Sequence, residues 1–154
     1  MGPAPLVTLN QALLGIQKLG FDTPPFIYLI ERHPTYLRLV RDIFARLDAG
    51  YLNGYSSVIT LIEVLSQPKR TGNIAIERAY SNLLLSSARF SLLRVDEAIA
   101  ERAADLRARY NLRTPDAIQL ATAIHAGCQA FLTNDLALRR VTDQRVLVLS
   151  TLTL

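Results

Sequence analysis

The chain has 154 residues, half of them hydrophobic and 19% charged, the size and make-up of one folded domain rather than a disordered chain. Seventeen Lys and Arg against thirteen Asp and Glu give a formal net charge of +4, which serves solubility and also admits a polyanion such as RNA. No apolar run approaches the ~20 residues that span a bilayer, the start "MGPAPLVTLNQ" does not read as a signal peptide, and a lone cysteine, Cys128, cannot form an internal disulfide. The expectation is a cytoplasmic protein with a single domain over residues 1–154 and no membrane segment.

In chain order, "TLNQALLGIQK" reads as an opening helix with Thr8 as N-cap, so that residues 1–17 form an N-terminal helical extension. "KLGF" is a short strand ending at Asp22. Pro24 and Pro25 suit the first turn of a helix that "FIYLIER" continues up to His33-Pro34. Tyr36, Val40, Ile43, Phe44 and Leu47 recur at helical spacing up to Gly50. "NGYSSVI" is a turn and strand, "TLIEVLSQP" a helix stopped at Pro68, "NIAIERAYSNLLLSSA" a helix and "FSLLRV" a strand. Asp96 caps a helix whose inner face is Ile99, Ala103, Leu106 and Tyr110. The next has Thr114 as N-cap, Pro115 first, and Ala117, Leu120, Ala121 and Ile124 inward; "AFLTN" and "RVLVLS" are the last strands, followed by a short tail. Short apolar strands alternating with helices predict an α/β fold, a parallel sheet covered on both faces. Ligands of such sheets bind beyond the carboxyl ends of the strands.

Four acids stand near those ends or beside an apolar stripe. Asp22 follows the first of these strands directly, Glu63 follows the second by a few residues, Asp116 is the second residue of its expected helix, and Asp135 follows "AFLTN". Each also has an ordinary structural reading. Asp22 caps the proline-started helix, Asp116 and Asp135 favour the positive ends of helix dipoles, and Glu63 lies on the outer side of an amphipathic helix. Its neighbours Leu61, Ile62, Val64 and Leu65 argue against that last reading. The other nine acids mostly have Arg within four positions, or, like Asp96, read as a cap. Four converging carboxylates without a counter-charge repel one another. A divalent cation resolves the conflict, and all-oxygen ligation suits Mg²⁺ or Mn²⁺ rather than zinc. One or two such ions support phosphodiester hydrolysis.

The stretches "GFDTPPFIYLIE", "SSVITLIEVL", "RTPDAIQLATAI" and "FLTND", in this order, resemble the PIN-domain family, and within it the VapC-type toxins of bacterial toxin–antitoxin pairs. The likeness runs over residues 18–150, and "TPDAIQLATA" followed closely by "LTND" is its most specific part. The resemblance implies a PIN-like three-layer α/β/α fold with a central parallel sheet and a Mg²⁺- or Mn²⁺-dependent endoribonuclease site. By position, Asp22, Glu63, Asp116 and Asp135 match the family's acidic quartet. Asp22, Asp116 and Asp135 match its direct ligands, and Glu63 a residue that binds metal or positions water. Thr23 and Thr133 match small polar residues beside the first and last acids. The resemblance further implies an RNA substrate, a homodimer, and a cognate antitoxin whose tail lies over "PPFIYLIE" and "TYLRLVRDIFARL". The chain departs from the family in Pro24-Pro25, where many relatives carry a small polar residue, and in its longer segment before "GFDT".

Arg32, Lys69, Arg70, Arg113, Arg139 and Arg140 are candidates for RNA phosphate contact, with Arg113 and Arg139 nearest the acids in sequence. His33 is expected at a helix end and His125 partly buried on a helix, without the spacing of a zinc site. Cys128 reads as a small core residue, and the scattered glycines form no phosphate loop. The alternative to a nuclease is a PIN-like module that binds RNA or protein without cutting. A phosphatase is disfavoured, because Asp22 is followed by Thr23 and Pro24 rather than by a second aspartate two positions on.

Overall fold

The computed structural model describes residues 6–154; residues 1–5 of the expected N-terminal extension lie outside the described residues. In chain order the elements are β1 (Val7–Thr8), α1 (Leu9–Ala12), β2 (Lys18–Phe21), α2 (Pro24–Ile30), α3 (Leu37–Asp48), β3 (Asn53–Ser57), α4 (Ile59–Thr71), α5 (Ile74–Ser86) and β4 (Phe90–Leu93). There follow α6 (Glu97–Tyr110), α7 (Thr114–His125), β5 (Ala130–Thr133), a 3₁₀ turn (Leu136–Arg140), β6 (Val146–Val148), a second 3₁₀ turn (Leu149–Thr151) and β7 (Leu152–Thr153). The main sheet has five strands in the order β4-β3-β2-β5-β6, every pair parallel. The expected three-layer α/β/α architecture is therefore the observed one.

Two apolar clusters cover the two faces. One gathers Phe21, Phe26, Val40, Ile43, Val64 and Tyr80 under α2 to α5, the other Ile99, Leu106, Leu120 and Phe131 under α6 and α7. Chain order reverses at β2, where the path first leads to β3 on one side and later returns as β5 on the other. A crevice opens beyond the carboxyl ends at such a switch point. A Cβ added at Gly20 would stand 2.5 Å from that of Ala123, so the bare backbone at this position lets α7 lie close against β2. That approach fixes α7 beside the end of β2, where Asp22 emerges.

Several boundaries differ from the sequence reading. Helix α4 continues through Pro68 and ends one turn later at Gly72, whose φ of 72° supplies the left-handed cap. The proline ring is buried, so its packing against the fold holds the helix through the position where a backbone donor is lost. Thr114 is the first residue of α7 and not its N-cap, a place taken by Arg113 in extended conformation. The opening helix spans only Leu9–Ala12, although Thr8 does form its capping box with Gln11. The C-terminal tail forms β7, which pairs in parallel with β1. His125 is exposed and not partly buried, because it ends the outer side of α7. His33 follows α2, its Nδ1 accepting the backbone N–H groups of Thr35 and Tyr36 at 3.1 and 3.2 Å.

Candidate active site

Asp22 is the first residue beyond β2. Its backbone N–H donates to the Leu132 carbonyl at 2.9 Å, which extends the β2–β5 pairing by one bond. The side chain is buried, with 8% of the residue exposed. One carboxylate oxygen, Oδ1, accepts the Thr23 backbone N–H at 2.9 Å; the other, Oδ2, accepts the Thr133 hydroxyl at 2.7 Å. Burial pushes the carboxyl up to about 6. The two hydrogen bonds oppose that rise, and the negative charges of Asp116 and Glu63 add to it. Among the described residues no basic side chain is ion-paired with Asp22 or Glu63.

Helix α4 presents Glu63 at the same crevice. The residue is exposed, contrary to what its apolar neighbours in sequence suggest, since Ile62 also faces outward at 67% exposure. It is nevertheless tied down, because its Oε1 accepts the Thr23 hydroxyl at 2.8 Å. Asp116 occupies the first turn of α7, with its side chain 16% exposed and Arg113 Nε at 3.3 Å from its Oδ2. Asp135 is exposed, and its Oδ1 caps the 3₁₀ turn by accepting the Ala137 N–H at 2.9 Å. Its own N–H donates to the Thr133 hydroxyl oxygen at 3.1 Å. Hydrogen bonds thus join Asp22, Thr23, Glu63 and Thr133 directly, Asp116 acts on Asp22 through its field, and Asp135 reaches the group through its backbone. Among the described residues no three carboxylate, imidazole or thiol groups converge at metal-ligating distance.

Of the six basic candidates, Arg113 alone contacts one of these acids. Arg139 donates to the Thr151 hydroxyl at 2.9 Å, and Arg140 holds the end of α6 by donating from Nε and Nη2 to the Tyr110 carbonyl at 3.2 and 3.0 Å. Lys69 is ion-paired with Glu77. Arg70 is exposed in the last turn of α4, and Arg32 is exposed just after α2 with a φ of 56°. Sequence reasoning missed two residues that tie the site together. Gln119, 2% exposed, bonds to Thr23, Ser56, Ser57 and Thr60 beneath the acids. Its signal was a polar residue set in an apolar stripe, three positions after Asp116. Asn134 donates to the Tyr28 hydroxyl at 3.1 Å and accepts the Ser150 N–H at 2.9 Å, which fixes the backbone between Thr133 and Asp135.

Residues 21–144 match the family model of the PIN domain, and the chain belongs to that family. Among solved structures it is similar to a toxin–antitoxin complex from Klebsiella pneumoniae, with 27% identity, 86% of this chain and 98% of that one covered, and a TM-score of 0.65. It is also similar in fold to VapBC2 from Rickettsia felis bound to a DNA fragment from their promoter, with 15% identity, coverage of 86% and 98%, and a TM-score of 0.66. A third neighbour is VapC20 of Mycobacterium tuberculosis, a sarcin–ricin loop cleaving toxin, with 15% identity, coverage of 84% and 99%, and a TM-score of 0.63. No curated protein matches the sequence.

Proposed function

We propose that this PIN domain is a divalent-metal-dependent endoribonuclease and the toxin of a toxin–antitoxin pair. The observation that carries the reading is Asp22, a buried carboxylate at the sheet's switch point that has two acids in its field and, among the described residues, no cation paired to it. The donor set is entirely oxygen, which fits Mg²⁺ or Mn²⁺, and a bound ion would offset both the burial penalty and the smaller repulsion from Asp116 and Glu63 that push the Asp22 carboxyl up. Asp22, Asp116 and Asp135 would hold the ion, with Glu63 completing the set or orienting the attacking water. When bound, the ion supplies an activated water and stabilises the oxygens of an in-line phosphoryl displacement.

The chain's own contribution is positioning. Thr133 holds Asp22 Oδ2 and Thr23 holds Glu63 Oε1, so two acids on different elements keep a fixed relation before any ligand arrives. Arg113, paired to Asp116 and with its side chain 80% exposed, is placed to grip a substrate phosphate as it leaves that carboxylate. Arg139 and Arg140 follow on the 3₁₀ turn after Asp135, and Arg32, Lys69 and Arg70 would extend the contact. Beside α3, a cleft of about 300 Å³ is lined by Leu29, Phe44, Leu83, Phe90 and Arg41. We assign it to the antitoxin tail, and a homodimer and a cytoplasmic setting complete the reading. No helix is long and apolar enough to cross a membrane among the described residues.

The test is cleavage of a mixed RNA pool by purified protein in Mg²⁺ or Mn²⁺ against EDTA, with Asp116→Asn alongside. Cleavage that needs both the metal and Asp116 is the expected result. The acids' failure to converge as a ready three-ligand group favours a second reading, a module that binds RNA or protein without cutting. RNA retained by the protein but left intact in both metals would select that second reading.

A further inference from the structure

Helix α7 carries Gln119 three residues after Asp116, so the two lie on one side of the helix. Gln119 is 2% exposed, yet every polar atom of its amide is engaged. Which end of the amide faces which partner follows from chemistry. A backbone N–H only donates, and that of Ser57 lies 3.3 Å from Oε1, so the oxygen faces β3. Nε2 then faces the other way and donates to Thr60 Oγ1 at 2.7 Å and to Thr23 Oγ1 at 3.3 Å.

The direction of each bond passes on to the next. Thr23 Oγ1 accepts from the amide, and its one proton is directed to Glu63 Oε1 at 2.8 Å. The second branch runs from Thr60 Oγ1 to Ser56 Oγ at 2.9 Å and from Ser56 Oγ to the Phe21 carbonyl at 2.9 Å, immediately before Asp22. Thr133 repeats the device: its oxygen accepts the Asp135 N–H, so its proton is directed to Asp22. Both hydroxyls are thus committed to donating to carboxylates before any ligand binds. Only the Gln119 branch depends on a side chain for that commitment, because the Thr133 branch starts from the backbone.

We propose that Gln119 is a positioning residue of the acidic cleft: acting through Thr23, it fixes the Glu63 carboxylate and so sets the affinity of the cleft for a divalent ion. The hydrogen-bonded link stands on the structure, and its consequence for ion affinity rests on the nuclease reading. Removing a partner that orients a ligand in this way typically weakens metal binding ~10-fold to ~100-fold.

The test is calorimetric titration with Mg²⁺ and Mn²⁺ of the full chain, wild type against Gln119→Met, Thr23→Val, the double variant and Thr60→Val. Side-chain amide NMR signals of Gln119 are followed in the metal-free protein. Gln119→Met and Thr23→Val are each expected to weaken ion binding by about 10-fold, and the double variant by no more than the larger single effect. Thr60→Val removes the other acceptor of Gln119 Nε2 and leaves every donor and acceptor of the Gln119–Thr23–Glu63 branch in place. It is expected to lower Tm and leave ion affinity unchanged. In the metal-free protein, Thr23→Val is expected to shift the Gln119 amide signals, a measurement that decides the link even if Gln119→Met does not fold.

Wild-type affinity in Gln119→Met overturns the proposal, as do losses that multiply in the double variant. An equal loss in Thr60→Val does so too, since the effect is then general loosening. An amide signal that ignores Thr23→Val breaks the link itself. Wild-type protein that binds neither ion overturns the metal reading and the affinity claim together, while the amide signal still decides the link.

Discussion

Two clusters of acids in this chain meet opposite electrostatic fates. At the end of α6, Asp105 and Asp143 share the Arg109 guanidinium, with Nη2 at 2.8 Å from Asp105 Oδ2 and Nη1 at 2.9 Å from Asp143 Oδ1. The Tyr110 hydroxyl also donates to Asp143, and the Arg109 guanidinium stands 5.0 Å over the Tyr110 ring. The Arg109 and Tyr110 bonds hold the Asp143 carboxyl down at about 2. At the crevice, burial pushes Asp22 up to about 6, and Asp116 and Glu63 push the same way. The same side chain is thus stabilised as an anion at one site and penalised as an anion at the other. Among the described residues, Arg109 pairs Asp105 and Asp143 at the surface, and no basic side chain is paired with the buried Asp22.

The comparison is broken most sharply at Asp22 itself. Its folded pKa lies above the ordinary 3.8, so the folded state holds the proton more tightly than the unfolded chain does. The stability this provides is fully present below pH ~4 and is lost as pH rises through about 6. Asp22→Asn removes the charge penalty but gives up one of the two accepted hydrogen bonds, and the metal-free variant is expected to exceed wild type in stability by about 1–2 kcal/mol at pH 7. Its advantage should vanish by pH ~4, as read by urea unfolding at several pH values. Saturating Mg²⁺ should narrow or reverse the difference, because an ion that binds only the folded wild type stabilises it. A variant no more stable than wild type at pH 7 would contradict the account of a penalised carboxylate.

Thr133→Val sharpens the comparison at the next level. It deletes the hydroxyl that opposes the rise at Asp22 and also strips the Asp135 N–H of its acceptor. The Asp22 carboxyl, followed by its ¹³C shift, is expected to titrate still higher. Stability should fall by about 1–3 kcal/mol for the buried polar groups left unpaired. An unchanged titration would show that the hydroxyl does not hold that oxygen in solution.

The smallest effect is expected on the paired side. Asp143→Asn leaves Arg109 its bond to Asp105, and exposed pairs contribute about 0.2–1 kcal/mol. The loss should shrink further in high salt. Because the Asp143 pKa is lowered, this contribution is present above pH ~4 and is lost only as pH falls toward 2. A loss as large as that of Thr133→Val would mean that the pair supports the α6 end far more than a surface contact does.

Much of this was legible in the residues themselves. Pro24 and Pro25 start α2, Asp96 accepts the Ile99 N–H at 2.9 Å to cap α6, and Asn53–Ser57 and Ala130–Thr133 are strands of the parallel sheet. These are local matters: a fixed φ, a capping oxygen, an apolar run between breakers. Asp22, Asp116 and Asp135 could be picked out because strand ends and helix starts can be placed from such signals. Some failures were local, such as the N-cap of α7, which is Arg113 and not Thr114, and others depended on a neighbour distant in sequence. Pro68 is carried through α4 because its ring is buried in the folded molecule, and β7 exists only because β1 lies beside it.

The sequence by itself determined the alternation of strand and helix, the family, and a short set of acids at the carboxyl edge of the sheet. Tertiary structure decided that Glu63, exposed, is tied to Thr23 forty positions away, and that Asp22 is buried with no basic side chain paired to it among the described residues. It also decided that Gln119 is not a stray polar residue but the amide beneath the site. The reason is physical: backbone propensity and periodicity act over a few residues, whereas burial, field and hydrogen-bond direction belong to groups that only the packed fold brings together.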